Sequence, residues 1–257
     1  MKVIKDINYG ITNHPQQVLD VYLPDKDEFS VFIYFHGGGL ESGTKEACAD
    51  WVEDVVNKGI AVISAEYRMY PYAKYPEYIM DSAASVKWAF KNMENYGKIK
   101  KIFVGGISAG AYLTMMLMLD KRYLAAHYIK PEDIGGFISG NAQPTTHFNI
   151  LRERGINTNR VLVDEAAPLF YIGMEPSYPP LSLIVSDNDM KNRYEQTQLI
   201  ISTLRHFDYD DSKIYYRLMH GTHCHYSKTI EFGKIICEFI KKTDWYPKTL
   251  CYKTDKL

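Results

Sequence analysis

Gly106-Ile107-Ser108-Ala109-Gly110 is the stretch of this chain whose residue types and spacing could do chemistry. It follows an apolar run, Ile102-Phe103-Val104, and precedes a helix-like stretch, Tyr112-Leu113-Thr114-Met115-Met116-Leu117. A serine between two glycines, where a strand turns into a helix, has the form of a nucleophile elbow. The outer glycines carry no Cβ, so strand and helix can approach closely. Such a turn exposes the Ser108 hydroxyl and sets the next N–H groups at a helix N-terminus, where negative charge is stabilised. The chemistry would be attack of a serine oxygen on an acyl carbon. A serine hydroxyl is a poor nucleophile unless a base removes its proton, and a third group must orient that base. The tetrahedral intermediate also needs N–H donors, and losing one typically costs about 2.7–4 kcal/mol of transition-state stabilisation.

Candidate donors come early, in His36-Gly37-Gly38-Gly39, directly after the strand-like Val31-Phe32-Ile33-Tyr34-Phe35. An isolated glycine triplet is usually a plain turn. This one follows a strand, begins with histidine and lies upstream of the elbow, so the expected donors are the N–H groups of Gly37, Gly38 and Ala109. Candidate acids follow a later strand, where Leu181-Ser182-Leu183-Ile184-Val185 runs into Ser186-Asp187-Asn188-Asp189. Asp187 and Asp189 thus stand at a carboxyl end, where open α/β sheets place their chemistry. Either could instead be a turn or N-cap residue for the helix beginning near Asn192. Three candidate bases, His220, His223 and His225, follow the last strand. Together they could be read as zinc ligands, but their spacing fits no strong zinc pattern and that reading leaves the elbow unexplained. No metal is expected. His147, in Thr145-Thr146-His147-Phe148, could touch substrate, although a lone loop histidine is more often solvated.

These residues need elements to hold them. Strand-like runs cover residues 17–23, 30–35, 61–67, 101–105, 134–139, 181–186 and 213–219; helical periodicity covers 45–57, 77–95, 111–120, 193–206 and 227–242. Continuous apolar strands separated by helices predict an α/β fold, with a mostly parallel sheet covered on both faces and an antiparallel start. Residues 143–180 break the alternation. They are polar, hold Pro144, Pro168, Pro176, Pro179 and Pro180, and predict a small cap over the site.

With 257 residues and no linker-like stretch or internal repeat, the chain reads as a single domain, 1–257, burying about 70–75% of its unfolded surface. A net charge of −1 with interspersed signs argues against nucleic acid or an anionic membrane as partner. Cys48, Cys224, Cys237 and Cys251 lie far apart, against a disulfide framework. No apolar run reaches the roughly 18 residues needed to span a bilayer. Met1-Lys2-Val3-Ile4-Lys5-Asp6 lacks a signal peptide's apolar core, so the expected location is cytoplasmic.

Over most of its length the chain resembles the α/β-hydrolase family, specifically the hormone-sensitive-lipase-like and acetyl esterases. The resemblance rests on the His36 loop, on Glu66-Tyr67-Arg68 followed by Tyr75-Pro76, on a helix with Asp81 and Trp88, and on the Ser108 elbow. It implies that Asp189 is the acid, with Asp187 second. His223 is then the base, with His220 second and His225 lining the mouth, and the order Ser108, Asp189, His223 is the family's. It implies a carboxylesterase taking small-molecule esters with short, acetyl-type acyl groups, acetylated sugars among them, and needing no cofactor. Tyr70, Tyr72, Tyr75, Phe148 and Tyr171 could stack on a sugar or aryl ring, or equally be core. Two residues depart from the family pattern. Glu66 replaces an aspartate and is expected to be structural; Ile107 stands where a polar residue is common and is expected to alter substrate preference. An arylformamidase-like amide hydrolase shares the glycine loop and elbow and is the alternative enzyme. A non-catalytic binding protein of the same fold is the other alternative.

Overall fold

Along β3 (Glu28–Phe35), Val31, Ile33 and Phe35 join one buried apolar cluster, while Phe32 and Tyr34 join another. A strand apolar on both faces needs cover on both, which is the situation of a parallel sheet between helix layers. The computed structural model describes residues 1–10 and 12–243. Its other strands are β1 (Lys2–Asn8), β2 (Val18–Leu23), β4 (Ile60–Ala65), β5 (Lys98–Ile107), β6 (Phe137–Gly140), β7 (Leu181–Asn188) and β8 (Ile214–Thr222). They form one eight-stranded sheet in the order β1-β2-β4-β3-β5-β6-β7-β8. The β1–β2 and β2–β4 pairs are antiparallel and the rest parallel.

The helices are α1 (Val52–Asn57), α2 (Glu77–Asn92), α3 (Ala109–Leu119), α4 (Lys121–Ala125), α5 (Phe148–Glu153), α6 (Arg193–His206) and α7 (Ile230–Thr243). On one face, Val55 and Val56 of α1 and Phe232, Ile236 and Phe239 of α7 cluster with Phe32, Tyr34 and Val62. On the other, α2, α3 and α6 supply Ile79, Val86, Leu113 and Ile200 against Val31, Ile33 and Val104. Every residue of α3 is buried, which explains why the stretch after the elbow is apolar all round rather than striped.

Register aligns the carboxyl ends. Phe35 pairs with Gly106, Ile107 with Gly140, Gly140 with Ile184 and Asn188 with Thr222. His36, Ser108, Asn141, Asp189 and His223 therefore all stand just past strand ends on one edge of the sheet, the edge where such folds bind ligands.

The structure departs from the sequence expectations in several places, the short α4 among them. Strand β1 was not expected, because it is an edge strand with most residues exposed and shows little apolar alternation. Residues 45–57 are not one helix. A 3₁₀ turn at Lys45–Cys48 precedes α1, and Lys45 Nζ is drawn into the interior by Asp20 at 3.0 Å and Asp6 at 3.1 Å. Residues 143–180, expected as a polar irregular loop, contain α5 and a 3₁₀ turn at Pro168–Tyr171. Many of their polar side chains are buried, because each finds a partner. Thr146 Oγ1 donates to Asp164 at 2.8 Å, and the Tyr112 hydroxyl of α3 donates to the Ala166 carbonyl at 2.8 Å. Cys48, Cys224 and Cys237 are free thiols, and Cys251 lies outside the described residues. No described helix is long and apolar enough to cross a membrane.

Candidate active site

Ser108 joins β5 to α3 with φ 55° and ψ −114°, a conformation most residues avoid. Its N–H donates to the Gly140 carbonyl at 2.7 Å, which ties the strained turn to the next strand. Gly110 is required by packing: a Cβ there would strike the Phe35 carbonyl and lie 2.6 Å from that of His36. That close approach seats the end of β3 beside the elbow and brings the glycine loop to Ser108. A Cβ on Gly37 would stand 3.2 Å from Ser108 Cβ. Gly38 follows with φ +118°, open to glycine at little cost. Gly37 and Ala109, the first residue of α3, thus flank Ser108, while Gly38 packs on Ser42. An opening helical residue has no earlier intrahelical carbonyl for its N–H.

His223 Nε2 lies 2.9 Å from Ser108 Oγ, and His223 Nδ1 contacts Asp189 Oδ1. A carboxylate only accepts, so Nδ1 carries the proton and Nε2 is free to take the one from serine. Burial pushes the Asp189 carboxyl up, but hydrogen bonds from His223 and Asn141 outweigh it and hold the group below its ordinary range. Ionised, Asp189 fixes the tautomer of His223 and favours the imidazolium form of that ring.

The glycine loop has its own support. His36 is fully buried, with Nδ1 2.7 Å from the Gly37 carbonyl and Nε2 3.1 Å from Glu66 Oε2. Its ring stacks on Tyr67 at 4.6 Å, and the Tyr67 hydroxyl donates to the His36 carbonyl at 2.9 Å. Glu66 Oε1 accepts the Lys45 N–H at 2.7 Å. Glu66 therefore braces the loop from behind rather than meeting substrate. The neighbouring Arg68 grips Asp81 of α2, its Nε 2.8 Å from Oδ2.

The other candidates part company. His220 Nδ1 lies 2.6 Å from Asp187 Oδ2, but its side chain is 93% exposed, and it is His223 that reaches Ser108. His225 is exposed too, and among the described residues no group of three or more His, Cys, Asp or Glu is placed to hold a metal. His147, expected to be solvated if not at substrate, is buried instead. Its ring caps α5, accepting the Asn149 N–H at 3.2 Å, and stacks on Phe148 at 4.4 Å. Burial first, then Arg193 and Arg152, push its pKa down to about 3, so it stays neutral. Ile107 is buried on the sheet face away from α3, beside Tyr226 and Gly140. It is part of the apolar packing there rather than an exposed wall. Tyr171 is buried, with its hydroxyl on the Glu165 carbonyl. Phe148 is half-buried and borders the loop, 3.1 Å from where a Gly39 Cβ would stand, and Asn149 hydrogen-bonds the Gly39 carbonyl.

Asn141, fully buried, was missed in the sequence. It contacts Asp189 Oδ2, Ser186 Oγ and the Tyr226 hydroxyl. Its one sequence signal is a polar residue directly after a strand end.

A mostly parallel sheet of this order, with a serine elbow after β5 and the histidine loop after β8, is the architecture of the α/β-hydrolase fold. Residues 19–132 match the family model described as BD-FAE. Carboxylesterase NlhH of Mycobacterium tuberculosis is 33% identical over 114 residues, which are 42% of this chain and 34% of that protein. Kynurenine formamidase of Danio rerio is 28% identical over 119 residues, 46% of this chain and 39% of that protein. The matched part thus spans little more than a third of these relatives' length. Among solved structures, a truncated carbohydrate esterase from gut microbiota superposes with a TM-score of 0.76 at 16% identity, covering 95% of this chain and 96% of that one. The likeness to solved structures shows the α/β-hydrolase fold over nearly the whole chain.

Proposed function

We propose that this protein is a serine carboxylesterase cleaving short-chain, acetyl-type esters through an acyl-enzyme, with acetylated sugars among its substrates. The observation that carries the reading is the hydrogen-bonded series Ser108–His223–Asp189 beside Gly37 and Ala109, with Gly38 next in the glycine loop. His223 takes the Ser108 proton as the oxygen attacks the ester carbonyl, and the oxyanion forms against the N–H groups of the glycine loop and Ala109. His223 then protonates the departing alcohol, and water, activated by the same ring, releases the acid. Each step uses a protein group, so the mechanism calls on no metal or organic cofactor. The preference for small acyl groups is supported by residues 143–180, which act as a tight cap: Phe148 and Asn149 pack directly on Gly39. Free thiols at Cys48, Cys224 and Cys237 suit a reducing compartment, in keeping with cytoplasmic action.

A second reading, amide hydrolysis of a formamide, is favoured by the likeness to kynurenine formamidase. Turnover of 4-nitrophenyl esters from acetyl to decanoyl, set against N-formylkynurenine, tests both. We expect kcat/KM to peak at acetyl or propionyl and to exceed that for the formamide. A formamide preference, or a peak at long chains, overturns the proposal. Fluorophosphonate labelling should be abolished by Ser108→Ala; a folded wild-type chain that does not label would favour a binding role.

A further inference from the structure

We infer that Asn141 is a positioning residue for the acid of the triad: anchored by Tyr226 and Ser186, it clamps the Asp189 carboxylate in the orientation His223 requires. The inference rests on the serine-hydrolase reading above and deepens it.

Asn141 is the first residue past β6, with φ 54°, in the left-handed region that asparagine tolerates better than most residues. Its N–H donates to the Ile184 carbonyl at 2.7 Å, so its backbone is pinned to β7, the strand that carries Asp189. Its Nδ2 group donates to Asp189 Oδ2 and, at 3.0 Å, to Ser186 Oγ. Its Oδ1 accepts from the Tyr226 hydroxyl at 2.7 Å. Burial holds the Tyr226 phenol well above its usual range, so it keeps its proton and donates. A carbonyl must therefore face Tyr226 and the amide NH₂ must face the carboxylate; the flipped amide would set oxygen against oxygen at Asp189.

The clamp complements the rest of the acid's surroundings. Asp189 Oδ1 serves His223 and also accepts the Met190 N–H at 2.7 Å. Oδ2 points the other way and receives Asn141, so rotation of the carboxylate would break bonds at both ends. The other ionisable groups facing Asp189 are Arg193 in the first turn of α6, and Cys224 and Tyr226 beyond β8. Tyr226 in turn occupies a slot under the elbow, where its hydroxyl sits against Gly140 beside the Ile107 side chain. This gives the apolar residue inside the elbow a role: it walls the slot that holds Tyr226 and, through Asn141, the acid.

The experiment is the pH profile of kcat/KM for 4-nitrophenyl acetate in wild type, Asn141→Leu, Asn141→Asp and Tyr226→Phe, with active sites counted by fluorophosphonate titration. Asn141→Leu keeps the volume and removes the donor; kcat per titrated site should fall about 10–100-fold with KM changed less than about threefold. Asn141→Asp sets a second carboxylate beside Asp189, which favours the imidazolium of His223. The acid limb should move to higher pH by about one unit. Tyr226→Phe frees Asn141 and should act in the direction of Asn141→Leu but by about two- to fivefold, and it retains a reading should an Asn141 variant fail to fold. A merely structural role would reduce the number of titrated sites while leaving kcat per site and the acid limb as in wild type, and that outcome overturns the inference alone. A wild-type chain that neither labels nor hydrolyses ester overturns the serine-hydrolase reading, and this inference with it.

Discussion

Two histidine–aspartate pairs join the ends of β7 and β8, and they have opposite fates. His220 meets Asp187, and His223 meets Asp189. The residue types are the same and the two pairs are only a few residues apart on each strand. In the first, the side chains are 93% and 40% exposed; in the second they are 24% and 1% exposed. The Asp187 carboxyl is held below its usual range chiefly by the Gly221 N–H, then by His220. That is the ordinary arrangement at a strand end, and a solvated pair of this kind contributes little. Asp189 is buried and held by Asn141, and its histidine has Ser108 at its far nitrogen. On the proposed reading, a His–Asp pair does chemistry only when a nucleophile lies on one side and burial with an orienting donor lies on the other.

The largest effect that could break this contrast is removal of the two imidazoles. His223→Ala should lower kcat by about 10⁴–10⁶, and Ser108→Ala by a similar factor, because the two act as a unit. His220→Ala should stay within about twofold of wild type. Steady-state kinetics on 4-nitrophenyl acetate checks both, and the reverse pattern would move the base to His220. The acids should divide in the same way. Asp189→Asn should cost about 10⁴ in kcat, since an amide in that place favours the wrong tautomer of His223. Asp187→Asn leaves the Gly221 contact an acceptor and should change kcat less than about threefold. Equal losses at both aspartates would mean that the pairs act together.

Much of this arrangement was legible in the sequence, for physical reasons that apply unevenly. The elbow could be read because a tight strand–helix turn demands glycine at Gly110, and glycine is visible without coordinates. The parallel strands could be read because burial on both faces writes a continuous apolar run, as in β3. Choosing between Asp187 and Asp189, or between His220 and His223, needs burial, which no residue type records; only resemblance pointed the way. Asn141 could not be read, because its partners Ser186 and Tyr226 are 45 and 85 residues away. Residues 143–180 looked solvated because residue type does not reveal that polar side chains such as Thr145, Thr146 and Asn149 are buried against partners within the protein. Strand β1 was missed for the opposite reason, since an exposed edge strand needs little apolar pattern.

The support behind the oxyanion loop gives a smaller effect that sharpens the comparison. Glu66 holds a histidine too, His36, but that pair lies on the far side of the glycine loop from Ser108. Glu66→Ala should loosen Gly37 and Gly38 and lower kcat about tenfold, against the roughly hundredfold or greater cost of losing an oxyanion donor outright. KM should change little, because the loop's donors matter most in the transition state. A loss in KM with kcat intact would place Glu66 in substrate binding.

His147 completes the series as a buried histidine with no carboxylate, and its consequence is for stability. Burial, with Arg193 and Arg152, holds its folded pKa at about 3, while an unfolded histidine titrates near 6.5. Above pH 6.5 neither state binds the proton and stability is full. Between pH 6.5 and 3 the unfolded chain binds it and the folded chain does not, so stability falls as pH falls, by up to about 1.4 kcal/mol per unit. His147→Asn keeps a capping acceptor for the first turn of α5 and removes the titration. Urea unfolding from pH 8 to 4.5 should show the wild-type free energy dropping more steeply than that of His147→Asn below pH 6.5, with a constant offset above it for lost packing. Parallel curves would mean that the acid sensitivity of the fold comes from elsewhere. They would also remove His147 as the third case, in which burial away from a carboxylate silences the imidazole rather than activating it.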